Sequence, residues 1–197
     1  MTNNKEIAIL ILAAGESIRM GEPKQLLPWK ETTLLGNIIN EAKLVLPLNI
    51  NVVLGGNFDA IKNINELKEV NVIYNPNFQQ GQGTSISIGI NEILKINNSI
   101  KAVLILLCDQ PLITSQYLKE LIVAFTTNTK GIAATKYDNT PGVPAIFHKK
   151  YFQELTNLKK DKGAKHTIIN NSSDIILVNS NGKEVDIDTK EDYRKLI

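Results

Sequence analysis

The residues best suited to chemistry in this sequence stand between positions 12 and 24, where Leu12-Ala13-Ala14-Gly15 is followed by Arg19, Gly21 and Lys24. Glycines let backbone N–H groups approach phosphate oxygens, an arginine forks onto two oxygens at once, and a lysine adds a compact positive charge. A loop of this make-up builds a pocket for a polyphosphate. A turn followed by solvated basic residues is the plainer reading. Surface Lys and Arg, however, seldom follow a continuous Ile-Ala-Ile-Leu-Ile-Leu-Ala-Ala run so closely.

Carboxylates suited to a divalent cation occur at two further places. Asp109 follows the apolar run 102–107 and stands at the carboxyl end of a strand. Magnesium prefers one or two carboxylates completed by substrate phosphate oxygens, so Asp109 is a candidate ligand for Mg2+. Its alternative role is capping the turn at Gln110-Pro111. In Val185-Asp186-Ile187-Asp188, strand alternation puts Asp186 and Asp188 on one face, and one of the two should reach the metal. Asp188 also suits the cap of a final helix, a role compatible with metal binding.

The spacing of apolar residues predicts what positions these groups. Strands are expected at 7–13, 50–54, 72–74, 102–107, 131–136 and 175–178, with an edge or return strand at 144–147 and a short strand at 184–187. Helices are expected from a Thr32 or Thr33 cap to about Leu46, ended by Pro47, and at 59–70, 82–96, 114–125, 151–158 and 164–170. A last helix begins at Asp188 or Thr189. Such alternation implies an α/β fold, a three-layer α/β/α sandwich around a mostly parallel twisted sheet, with a Rossmann-like nucleotide-binding half. Ligands of open parallel sheets sit beyond the carboxyl ends of the strands, where the Gly15 loop, the 81–85 segment and Asp109 should converge. Gly81-Gln82-Gly83-Thr84-Ser85 falls at a helix N-terminus, which favours anions and polar ligand groups.

Composition narrows the remaining classes. The 197 residues suit one domain over 1–197. The 22 basic and 20 acidic residues leave a net charge of +2 and are dispersed, which gives no electrostatic case for nucleic acid or an acidic membrane. One cysteine, Cys108, forms no internal disulfide, and no Cys/His spacing suggests zinc, so the expected compartment is the cytoplasm. The run after Met1-Thr2-Asn3-Asn4-Lys5-Glu6 is eight residues long, and reads as a buried strand rather than a signal peptide or membrane span. His148 and His166 lack triad or metal partners and read as surface or helix-flanking residues. Cys108 reads as a small core residue, and Trp29 either packs the loop on the sheet or lines an acceptor pocket.

The spacing L-A-A-G-x-x-x-R-M-G-x-x-K resembles the triphosphate signature of the nucleotidyltransferase superfamily, within a glycosyltransferase-A-like fold. Four more blocks are similar to the molybdenum cofactor cytidylyltransferase group, in the same order. They are Asn75-Pro76-Asn77-Phe78 with Gly81-Gln82-Gly83-Thr84-Ser85, Leu107-Cys108-Asp109-Gln110-Pro111-Leu112, Gly142-Val143-Pro144-Ala145, and Val185-Asp186-Ile187-Asp188-Thr189-Lys190-Glu191-Asp192. The resemblance implies that Leu12, Ala13, Ala14 and Gly15 bind the nucleotide, the latter three against base and ribose. It implies that Arg19 and Lys24 hold the triphosphate, and that Gly83, Thr84 and Ser85 contact base or ribose. Lys24, Arg19 and Asp109 would act in catalysis, with Asp109 and Asp188 as metal ligands.

The partners implied are a nucleoside triphosphate, with cytidine favoured, and a phosphorylated small-molecule acceptor such as molybdopterin, with a target molybdoenzyme or chaperone downstream. Asp161-Lys162-Gly163-Ala164-Lys165 resembles a segment near the acceptor, or is a helix-initiating turn. Val143 stands where the group usually carries histidine, a departure that bears on the acceptor. A glycosyltransferase using a nucleotide sugar would more often show an Asp-x-Asp pair at position 109. A nucleotide-binding module without catalysis would not need Lys24, Asp109 and Asp188 together.

Overall fold

All seven residues of β1 (Ile7–Ala13) are buried, and their alternation feeds two different cores. The computed structural model describes residues 4–138, 140–160 and 162–197. Ile7, Ile9, Ile11 and Ala13 point into one cluster, and Ala8, Leu10 and Leu12 into the other. A strand covered on both faces must be apolar at every position.

After β1 come two 3-10 turns, Ile18–Met20 and Lys24–Leu26, then a short ribbon of β2 (Pro28–Trp29) and β3 (Thr32–Thr33). The chain continues through α1 (Leu34–Lys43), β4 (Ile50–Leu54), α2 (Phe58–Ile61), β5 (Asn71–Tyr74) and α3 (Gln82–Ile96). Then follow β6 (Ala102–Leu107), α4 (Ser115–Thr127), β7 (Ile132–Lys136), β8 (Pro141–His148), α5 (Phe152–Thr156), α6 (Ala164–Asn170), β9 (Ile175–Asn179) and α7 (Lys190–Arg194). The seven-stranded sheet runs β5-β4-β1-β6-β8-β7-β9. It is parallel except at β8, which pairs antiparallel with both β6 and β7.

The faces of the sheet are covered as a three-layer sandwich requires. Leu35, Ile38 and Ile39 of α1 and Leu118, Leu121 and Phe125 of α4 fill one core. Ile86, Ile90 and Ile93 of α3, with Phe152, Leu155 and Ile168 of α5 and α6, fill the other. A third, smaller cluster of Met20, Leu27, Trp29, Leu34 and Ile187 fastens the loop after β1 to the chain just before α7. Trp29 is thus a packing residue of the loop.

The elements differ from expectation at several points. The helix expected over 59–70 is split into α2 and a 3-10 turn, Asn65–Glu69, because Ile64 between them is extended with φ −66° and ψ 146°. Asn63 and Asn65 flank it, and asparagine is a poor helix former because its side chain favours non-helical local hydrogen bonds. The return strand at 144–147 extends over Pro141–His148 and lies inside the sheet, where β7 and β9 continue beyond it. Residues 184–187 form no sheet strand; one backbone bond, Ile187 N to Asp109 O at 2.9 Å, attaches them to the end of β6. The helix expected to reach Leu46 ends with Lys43, and the one expected at 151–158 shortens to α5 after a 3-10 turn.

Below the site, Asn75 ties the end of β5 to the start of α3. It is 1% exposed, and its Nδ2 donates to Thr84 Oγ1 and Ser85 Oγ, both at 2.9 Å. Its Oδ1 accepts from Asn77 N at 2.9 Å. Asn75→Ala should lower stability by about 2 kcal/mol, a drop in Tm of about 4–8 °C for a domain of this size. Calorimetry showing an unchanged Tm would remove Asn75 from this structural role.

Candidate functional site

Parallel pairing brings the carboxyl ends of β1 and β6 together, with Leu12 beside Leu107 in register. Cys108 N donates to Leu12 O at 3.3 Å, extending the pairing one residue and setting Asp109 at the mouth of the sheet. The loop leaving β1 then folds back over that mouth. Ser17 is its pivot, with a positive φ of 59°. Its carbonyl accepts from Met20 N and its hydroxyl from Lys24 N at 3.0 Å.

The fold-back delivers Lys24 to the two carboxylates. Its Nζ donates to Asp109 Oδ2 in a very short contact, to Ile187 O at 3.3 Å and to Asp188 Oδ1 at 3.4 Å. The side chains of Lys24 and Asp109 are only 15% and 16% exposed. Burial works against the lysine charge, but Asp109, with help from Asp188, outweighs it and holds the Lys24 pKa above its ordinary value. Arg19 is mostly solvated and reaches Asp188 Oδ2 through Nη2 at 3.3 Å. Two of the three acidic candidates therefore meet the two basic ones. Asp186 turns away, accepting from Gln110 Nε2 at 2.9 Å, and desolvation together with Asp109 raises its pKa.

Three openings with shared lining residues lie at this group. The central one, about 220 Å³, is lined by Leu12, Ala13, Ala14, Gly15 and Lys24 on one side and Ser85, Phe78 and Asp109 on the other. A second, about 350 Å³, follows the loop past Arg19 and Asp188, and a third, about 210 Å³, reaches Tyr137, Val143, Lys165 and Asp186. A larger cleft of about 760 Å³ lies elsewhere, lined by Lys159, Lys160, Lys162 and His166, and touches no strand end. Its size does not outweigh the convergence at the sheet.

Of the 81–85 segment, only Ser85 and Gln82 line the central opening. Gly83 instead packs on the turn after α5, where an added Cβ would come within 2.8 Å of Lys162 O, and its N–H donates to Lys160 O. Thr84 Oγ1 is taken up by Gly81 O and Asn77 O. Of the 161–165 segment, Asp161 lies outside the described residues and Lys165 lines the third opening. Cys108 is buried, and burial with the adjacent Asp109 pushes its thiol pKa up to about 12, which leaves it neutral and inert. His148 caps a 3-10 turn, and His166 lies beside Asn170 on α6.

Two buried amides escaped the sequence reading. Gln25 is 0% exposed, and its Nε2 donates to Ala13 O at 2.9 Å and Gly15 O at 2.8 Å, while Ser17 Oγ donates to its Oε1 at 3.3 Å. Gln110 Nε2 donates to Tyr137 OH at 2.8 Å as well as to Asp186, so it joins the end of β6 to the segments forming the third opening. The available signal was an amide placed directly after each charged candidate, in otherwise apolar surroundings.

A divalent cation fits this site by its chemistry. Asp109 Oδ1 is buried with no hydrogen-bond partner, and Asp188 is half open. Among the described residues no cluster of three or more His, Cys, Asp or Glu side chains could hold a metal. A pair of carboxylates completed by phosphate oxygens is the arrangement magnesium favours. Gln25→Leu should strand two carbonyls of the loop and lower the unfolding free energy by about 2 kcal/mol, read as a lower urea midpoint. An unshifted midpoint would show that the loop does not depend on this amide.

Comparison with known proteins agrees with the geometry. The MobA-like NTP transferase domain matches residues 9–175. The bifunctional protein GlmU of Pseudomonas syringae pv. tomato is 31% identical over 140 residues, covering 70% of this chain and 30% of the relative. The chain thus spans under a third of the length of that relative. The Rv0371c homolog of Mycobacterium sp. strain JC1 superposes with a TM-score of 0.82 at 28% identity, covering 97% of this chain and 94% of that one. Rv0371c of Mycobacterium tuberculosis, solved as a complex with manganese, gives a TM-score of 0.79 at 26% identity, covering 96% of this chain and 97% of that one. With the family domain spanning most of its length and the loop after β1 facing two carboxylates, the chain belongs to the MobA-like NTP transferase family.

Proposed function

We propose that the protein is a Mg2+-dependent nucleotidyltransferase. It moves a nucleotidyl group from a nucleoside triphosphate, CTP in preference, to a phosphorylated small-molecule acceptor, with pyrophosphate released. The observation that carries this reading is the placement of Lys24 against Asp109 and Asp188 beside the opening formed by Leu12 to Gly15.

In-line attack on an α-phosphorus is catalysed mainly by positioning and by neutralising charge. The 12–15 backbone and Ser85 line a slot for base and ribose. Arg19, which has slack to move, and Lys24 grip the phosphates. Asp109 and Asp188 would hold the metal ion, which supplies Lewis-acid stabilisation to the phosphate oxygens. Lys24, on a buried stem, carries its charge toward the α-phosphate, where negative charge develops. Manganese in the related mycobacterial protein supports a divalent cation in this fold.

The third opening suits the acceptor, because it shares Leu12, Gln82 and Leu107 with the nucleotide opening. Lys165 at its mouth would meet the acceptor phosphate. Molybdopterin is the acceptor that the similarity to cytidylyltransferases suggests, and Val143 gives its wall an apolar surface in place of the histidine usual in that group. No helix among the described residues is long and apolar enough to cross a membrane.

Two measurements test the reading. In thermal-shift assays with CTP, GTP, ATP, UTP and a nucleotide sugar, each with and without Mg2+, CTP with Mg2+ should shift the midpoint by several degrees. That is the size expected when a ligand at about one hundred times its dissociation constant adds about 2.7 kcal/mol. A shift with the nucleotide sugar alone would replace transfer of nucleotides by transfer of sugars. Lys24→Ala should lower turnover by about two to three powers of ten with the fold intact, and full activity in that variant would remove Lys24 from the chemistry.

A further inference from the structure

Lys24 occupies the place where a cation bound to Asp109 and Asp188 would have to sit. Its ammonium lies within hydrogen-bond reach of both carboxylates and of Ile187 O, three oxygens converging on one point. Oxygen ligands converging in this way are what a hard divalent ion uses. The lysine is held there by its surroundings, since its backbone N–H is fixed on Ser17 Oγ and its neighbour Gln25 is locked under the loop. Asp109 Oδ1 remains unpartnered beside it, so the carboxylate keeps capacity that the lysine does not use. An ammonium and a divalent ion repel each other at such separations, so Lys24 resting on these carboxylates opposes the binding of a metal to them.

We propose that Lys24 is a resident counter-ion that keeps the metal out of the free site, so that the divalent cation enters together with the triphosphate. The incoming phosphates give Lys24 a new partner. As its Nζ moves onto them, Asp109 and Asp188 are vacated, and the same phosphates complete the coordination of the metal. Arg19 follows the same path from Asp188 Oδ2, and its solvated side chain is free to move. Metal alone must first expel an ammonium that has nowhere comparable to go. This device rests on the assignment of Asp109 and Asp188 as metal ligands in the function proposed above.

Mn2+ titration without nucleotide, followed by calorimetry, separates the two ideas. Wild type should bind Mn2+ weakly, and Lys24→Gln should bind it at least about tenfold more tightly, because the competing charge is gone. The double variant Lys24→Gln, Asp109→Asn should lose that gain. Binding by Lys24→Gln that is equal to or weaker than wild type, but still lost in the double variant, overturns the exclusion and leaves the metal ligands standing. Retention of the tight binding in the double variant overturns the metal assignment at Asp109, and the exclusion with it. Wild-type crystals saturated with Mn2+ in the absence of nucleotide give an answer that does not depend on how the variants fold. Lys24 Nζ swung away from a metal-bearing Asp109 supports the proposal. Mn2+ on Asp109 with the lysine contact intact overturns it.

Discussion

The constraint on which this structure turns is a buried positive charge that must have oxygen around it. Lys24 lies under the loop with Asp109 and Asp188 as its partners, and Asp109 is nearly as buried as the lysine it faces. Removing either partner of such a pair leaves an uncompensated charge in a medium that solvates it poorly. The loop after β1, the end of β6 and the chain before α7 are therefore joined at one point. The cluster of Met20, Leu27, Trp29, Leu34 and Ile187 gives that junction an apolar base.

Around the ion group, neutral amides do the positioning. Gln25 holds the carbonyls of Ala13 and Gly15, Asn75 holds the first turn of α3, and Gln110 holds Tyr137 and Asp186. Each sits where the chain leaves regular structure and backbone or side-chain groups would otherwise lack partners. Amides suit this work because they donate and accept without adding charge to a site already crowded with it. The openings they frame are lined by both charged and apolar side chains.

The framework was largely legible in the sequence. Continuous apolar runs at 7–13 and 102–107 identified the two central strands, because burial on both faces leaves no room for alternation with polar residues. The threonine caps at Thr33 and Thr114 were legible for a similarly local reason, a side-chain oxygen meeting an orphan N–H of the first turn. Less legible were the break at extended Ile64, which lies between two asparagines in an otherwise apolar helical pattern, and the irregular course of 184–187. The latter is held by a backbone bond to Asp109, side-chain bonds from Lys24 and Gln110, and the burial of Ile187, interactions with partners far away in sequence.

The sequence by itself determined the two-sided core, the mostly parallel arrangement and a glycine-containing loop carrying Arg19 and Lys24 after the first strand, since these follow from periodicity and residue type over short spans. Only the tertiary structure decided which groups share the site. It brought Lys24 onto Asp109 and Asp188 across 85 and 164 residues of chain, sent Asp186 to Gln110, and turned Gly83 toward Leu158, Lys159 and Lys162. The physical reason is that a charge or an amide declares its need for a partner locally, whereas the partner that meets the need is chosen by how strands and loops pack.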